Sequence, residues 1–165
     1  MKKILAMSVI LFAFAAGTFA QSNTTTATAT AVIVSPITIT RDADLSFGNI
    51  IADADGGTVT VDPAGTRTLT GLTSPSITGT ITAASFTVAG LTDATYSITL
   101  PASHTISFGG NDMTVDTFTS TPSGTGTLTS GTETLNVGAT LTVGSNQPAG
   151  TYTNAAGFDV TVNYN

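Results

Sequence analysis

Very few side chains in this sequence are equipped for chemistry. His104 is its only imidazole, and it has no cysteine. A Ser-His-Asp site would have to be built on His104, with Ser103 beside it. No nucleophile-elbow motif accompanies it. Three residues after Pro101, between Ser103 and Thr105, this histidine reads as a strand-edge or loop residue. Zinc centres usually draw on several His or Cys ligands, and one His argues against such a centre. The acidic residues Asp42, Asp44, Asp53, Asp55 and Asp62 fall close together in sequence. Residues 53–57, DADGG, contain an Asp-x-Asp-Gly string reminiscent of a calcium loop. The later ligands and the closing bidentate Glu of such a loop are missing. Asp and Gly are also the residues that tight turns require. Paired carboxylates for glycoside cleavage are available in number, but there is no Trp to form a sugar-stacking platform. The expectation is a protein that is not an enzyme, with no catalytic, cofactor-binding or metal-binding residues.

Compartment and partners follow from the N-terminus and from charge. Lys2 and Lys3 precede an uncharged apolar run over residues 4–17, and Thr18, Phe19 and Ala20 lead into Gln21. A short basic region, an apolar stretch and small residues before a cut make a secretory signal peptide. The run is short for a membrane span. Residues 1–20 are expected to be removed, leaving a secreted protein of the periplasm or cell surface with no membrane span. After residue 20 the only basic side chains are Arg41 and Arg67, against ten acidic ones, for a net charge of −8. Such a chain repels phosphate backbones, which excludes nucleic acid as a partner. The same charge disfavours an anionic membrane surface. Without cysteine there is no disulfide framework, so burial and strand pairing must hold the fold together.

The scaffold that positions these residues is written in composition and periodicity. Residues 21–165 contain 35 Thr, and with Val, Ile, Phe and Tyr they form a strand-favouring alphabet. The branched Cβ of Thr suits a pleat, and its hydroxyl keeps an outer face wet without charge. Short alternating runs succeed one another: DLSFGNI, TVTVD, SFTVAG, TYSITL, TISF, MTVDTF, TETLNVG and ATLTVG. Turns rich in Gly, Pro and Asp separate them, at residues 53–57 and 62–65 and at Gly109 and Gly110. After a turn at residues 146–150 comes a last strand with Phe158, Val160, Val162 and Tyr164 on one face. No window after residue 20 shows a helical period. The pattern predicts an all-β, antiparallel, immunoglobulin-like sandwich over residues 35–165. Residues 21–34 are either an N-terminal extension or the first strand. The recurring Thr-x-Thr has no fixed period and is low complexity. A transmembrane barrel would need longer strands and aromatic girdles, which are absent.

The string NQPAGTYT, followed by an alternating strand and a penultimate Tyr, resembles the ending of spore-coat-U-like domains, the subunits of archaic chaperone–usher pili. With DLSFGNI, SFTVAG, TYSITLP and LNVGATLTVGSNQPAGTYT it resembles the domain-of-unknown-function family 4402 over roughly residues 30–165. Gln147 to Tyr152 is its most specific part. The resemblance implies an immunoglobulin-like sandwich exported in a Gram-negative bacterium, and pilus-like assembly.

These readings lead to two expectations of function. The first is a secreted structural or adhesive surface protein, a fimbria-like subunit assembling by β-strand addition with itself, other surface subunits and a periplasmic chaperone. Residues 22–34 would be the donated strand, with Ala27, Ala29, Ala31 and Ile33 on one face and Thr28, Thr30, Val32 and Val34 on the other. The alternative is a soluble carbohydrate- or cell-wall-binding module. Continuous alternation without cysteine predicts that far-ultraviolet circular dichroism shows strand, and that melting is unchanged by chelator or reductant. A lower melting temperature in chelator would revive the calcium loop at residues 53–57.

Overall fold

Alternation decides where this chain becomes strand. In ASFTVA, Ala84, Phe86 and Val88 are buried and the residues between them are half-exposed. In TETLNVGATLTV, Leu135, Val137, Ala139, Leu141 and Val143 are buried, while Thr132, Thr134 and Thr142 face out. A pleated strand sends successive side chains to opposite faces, so each run buries one face and wets the other. A computed structural model describes residues 21–165; the expected signal peptide, residues 1–20, lies outside them. Residues 21–32 hold no strand and fall outside the compact unit of residues 33–165.

From residue 33 onward the described chain forms twelve strands. They are β1 (Thr38–Ala43), β2 (Ser46–Phe47), β3 (Gly57–Val61), β4 (Arg67–Thr70), β5 (Ile81–Thr82) and β6 (Ala84–Ala89), then β7 (Thr95–Thr99), β8 (Ser103–Phe108), β9 (Asn111–Thr121), β10 (Thr125–Thr127), β11 (Thr132–Val143) and β12 (Thr161–Tyr164). The pairings are antiparallel throughout. One seven-stranded sheet is organised on β11, a three-stranded sheet runs β10-β7-β12, and β2 pairs with β5. The all-β antiparallel sandwich read from the sequence is therefore what the chain builds.

β11 is the hub. Along one edge, Thr132 to Val137 pair with β6, and Ala139 to Val143 pair with β3. Along the other edge, Asn136 to Thr142 pair with β9. The switch of partner falls at Gly138, where a Cβ would run into the backbone of Val61 and Asp62. β9 carries a bulge opposite that switch, with Thr117 at φ 50°. A bulge inverts the facing of the residues beyond it. Met113 and Val115 turn inward before it, and Phe118 and Ser120 after it.

Several boundaries differ from the sequence reading. TETLNVG and ATLTVG are one strand, since Gly138 changes partners without a turn. The sequence pattern does not anticipate β4; TRTLT mixes Arg67 with one half-buried Leu69. β12 starts only at Thr161 because it pairs with Thr99 and back along β7. Pro101 beyond has no N–H to extend the ladder. Phe158 and Val160 still face inward with Val162 and Tyr164.

The core has two clusters. One surrounds Phe86, Tyr96, Leu128, Leu135 and Val162; the other surrounds Val59, Val115, Leu141 and Val143. Leu45 and Phe118 pack against both. Tyr96 is fully buried, and its hydroxyl has no hydrogen-bond partner among the described residues. Gly126 lies against its ring because a side chain there would strike both the phenol and the Glu133 carboxylate. That carboxylate accepts the Thr127 N–H at 2.8 Å. Burial first, and then the Glu133 carboxylate, which lies close to the phenol without meeting hydrogen-bond geometry, hold the Tyr96 phenol well above its usual range. The fold thus favours the neutral phenol. Its stabilisation is full below the ordinary value of 10.0 and is lost as pH rises past it, because the unfolded phenol ionises first. Tyr96→Phe removes an unsatisfied buried hydroxyl, so it should stabilise the domain by about 1 kcal/mol. It should also flatten the loss of stability at alkaline pH, both read from denaturant melts at neutral and alkaline pH. Destabilisation by this substitution would mean that the hydroxyl has found a partner.

Candidate functional site

A groove of about 1030 Å³ opens over the large sheet. Its floor is the inner face of the large sheet: Ile106 on β8, Met113 and Val115 on β9, Leu141 and Val143 on β11. One wall is the run from Asp44 to Ala52, containing β2; the other is the strandless segment from Gln147 to Phe158. A second depression of about 320 Å³ adjoins it, between Ile39 and Arg41 of β1, Phe86, and the stretch Phe158, Asp159 and Val160 that leads into β12. Arg41 and Phe158 border both. β1 pairs only with β6, and β12 only with β7. Each therefore presents one unpaired edge among the described residues, and the second depression lies between β1 and the run into β12.

The string Gln147 to Tyr152 earns its composition here. The Gln147 side chain donates to the carbonyl of Asp112 at 3.2 Å, and the Tyr152 hydroxyl to that of Pro148 at 2.8 Å. The Tyr152 ring lies 5.7 Å from that of Phe108. Gly150 presses on Phe108 so closely that any Cβ would enter the ring. Thr153 exchanges backbone hydrogen bonds with Ser107 at 3.1 and 3.2 Å, and the Asn154 amide donates to Thr105 O at 3.0 Å. The motif thus lays one groove wall onto the β8–β9 hairpin. The opposite wall is fastened as well. Asn49 N–H donates to Thr78 O at 2.6 Å and its side-chain amide to Ile77 O at 3.1 Å. Arg67 donates to the carbonyls of Phe47 and Asn49.

His104 lies on β8, a strand at the sheet edge, where it is half-buried and lines the groove. Its ring is edge-on to Phe158 at 6.1 Å, and Phe158 in turn tilts against Phe118 at 5.0 Å. The aspartates are dispersed. Asp42 accepts from Thr87 at 2.8 Å, Asp44 pairs with Arg41 at 2.9 Å, and Asp62 caps its own turn by accepting the Thr66 N–H at 2.8 Å. Residues 53–57 form a turn, with Gly56 at φ 73° and Asp53 O accepting the N–H of Gly56 and of Asn146, both at 3.2 Å. Among the described residues no three His, Cys, Asp or Glu side chains gather where one ion could sit. No helix among them is long and apolar enough to cross a membrane. The sequence reading does not anticipate the part Arg67 plays behind the groove wall, and its only signal is an isolated cation among threonines.

Tyr164 closes the far end. Its hydroxyl donates to Ser35 O at 3.0 Å and accepts the Leu91 N–H at 2.6 Å. Gly90 has no side chain where this phenol sits. The penultimate tyrosine thus ties the last strand to the entrance of β1.

A protein-family model described as Domain of unknown function (DUF4402) matches residues 37–164. The chain belongs to that family. No curated protein and no solved structure matches it. The DUF4402 match begins just after Ser35 and Pro36 and ends on Tyr164, so it covers the groove and leaves residues 21–34 outside. Replacing Tyr164 by Phe in the DUF4402 domain removes one donor and leaves the exposed Leu91 amide to water, which should cost about 0.5–1.5 kcal/mol of unfolding free energy. Exposed Asn163→Ala should change almost nothing, by the same denaturant melts.

Proposed function

We propose that this chain is a secreted, non-enzymatic surface subunit that assembles by β-strand addition. The observation that carries the reading is the groove floored by the large sheet together with the depression adjoining it, which opens between two unpaired strand edges, β1 and the run into β12. Unpaired edges are templates for another strand, and such a strand gains main-chain hydrogen bonds along its edge and pockets for alternate side chains. The occupant is residues 22–34 of a second copy. That segment has a period of two and forms no strand, and it ends on Val32, Ile33 and Val34, which are 82%, 98% and 50% exposed. Three adjacent exposed aliphatic residues are a liability for an isolated soluble chain and an asset for a donated strand.

The resemblance of the C-terminal string to spore-coat-U-like pilins points the same way. So does the expected signal peptide, which would deliver the chain to the periplasm or cell surface of a Gram-negative bacterium. On this reading the sandwich is of immunoglobulin type with one strand supplied by a neighbour, and a periplasmic chaperone would shield the groove before assembly.

Deleting residues 22–33 should leave a soluble monomer that binds a synthetic peptide of residues 22–34 and melts higher in its presence. Deleting residues 158–165 should abolish folding, because Phe158, Val160, Val162 and Tyr164 leave the core together. Light scattering, melting and peptide binding measure these outcomes. An N-terminal deletion that unfolds as badly as the C-terminal one, without rescue by peptide, overturns the proposal.

A further inference from the structure

Arg67 begins β4 and does not line the groove. Its Nη1 donates to two carbonyls of the groove wall, Phe47 O at 3.0 Å and Asn49 O at 2.9 Å, and its Nη2 donates to Ser74 Oγ at 2.8 Å. The one ion pair among the described residues, Arg41 with Asp44, leaves this guanidinium without a carboxylate. Its charge is met by backbone oxygens instead, an arrangement suited to a planar fork of donors. Two carbonyls only two residues apart converge on one nitrogen because the chain turns at Gly48, which has φ 72°. That conformation favours glycine. A Cβ at Gly48 would in any case crowd Thr78 O and the side chain of Ile81. Phe47, Asn49 and Ile50, which this arrangement holds, all face the groove.

We propose that Arg67 is the positioning residue of the groove: its guanidinium fixes the wall at residues 47–50, and so sets how tightly an added strand is held, without touching that strand. The proposal rests on the strand-addition reading. β4 itself is secured by its backbone ladder to β3. Loss of the side-chain fork therefore frees the wall more than it disturbs the sheet. Lysine carries the charge as a single point and cannot reproduce the fork.

The test uses the full chain as wild type, Arg67→Ala and Arg67→Lys. A fluorescent synthetic peptide of residues 22–34 is titrated by anisotropy at a temperature where all three are folded. Hydrogen exchange is followed at the amides of Asn49 and Ile51, bonded to Thr78 O and Thr73 O, and along β11. Arg67→Ala should weaken peptide binding about tenfold, mainly through faster release, and Arg67→Lys should recover part of that loss. Exchange should quicken at Asn49 and Ile51 while β11 keeps its protection. Equal peptide affinity in all three proteins overturns the proposal and leaves strand addition standing. Faster exchange in β11 matching that at Asn49 also overturns it, since Arg67 would then serve general stability. A wild type that stays monomeric and binds no peptide removes the strand-addition reading itself, and this proposal with it.

Discussion

Twelve consecutive residues, Thr132 to Val143, must satisfy three other strands at once, and the remainder of the domain is arranged around that demand. β11 meets β6 and then β3 along one edge while β9 runs along the other. It does so because Gly138 lets the backbone of Val61 and Asp62 come close where the partner changes. The five buried side chains of β11 contribute to both core clusters, Leu135 and Val137 to one, Ala139, Leu141 and Val143 to the other. Facing this large sheet are two smaller pieces, β2–β5 and β10-β7-β12, which share no pairing. Two separate fragments leave a groove between them over the inner face of this sheet, whose floor residues Val115, Leu141 and Val143 stay buried while Ile106 and Met113 are half-exposed.

Threonine is the material that makes the opposite face possible. One row of paired residues crosses five strands as Thr70, Thr58, Thr142, Thr114 and Thr105. In the next row the hydroxyls of Thr60 and Thr140 bond to each other at 2.9 Å. Directly opposed side chains stabilise a sheet through such pairs, while like charges there would oppose it. An uncharged hydroxyl on a β-branched stem thus wets the outer face at no electrostatic cost, which lets a chain with so few charged residues cover its sheet.

Fold class was legible because alternation and turn residues are local signals. β6, β7 and β8 sit where the pattern places them. Two misreadings arise where a distant partner overrides the local pattern. The run TETLNVGATLTV reads as two strands because Gly138 looks like a break; it is the site of a partner change. The alternation through Phe158 and Val160 is real, yet Pro101 on the neighbouring segment ends the ladder before reaching them. The alternating residues 24–34 form no strand in the described chain, since alternation states what a segment can pair with and not whether a partner exists. The groove itself was not legible at all. It needs Phe47, Met113 and Gly150 on three surfaces of one cleft, and no sequence window contains them. Only the string Gln147 to Tyr152 stands out in the sequence, and its reason, Gly150 under the Phe108 ring, is a contact between segments far apart in the chain.

The bond from the Tyr164 hydroxyl to Ser35 has a mechanical meaning. Any pull on residues upstream of Ser35 enters the domain at this point. Part of that load passes through the phenol into β12, the last strand, and through the Leu91 amide into the connection after β6. Ser35 and Tyr164 therefore act as one anchorage. Tension applied at the N-terminus is shared between both layers of the sandwich before β1 alone can be peeled from its sheet.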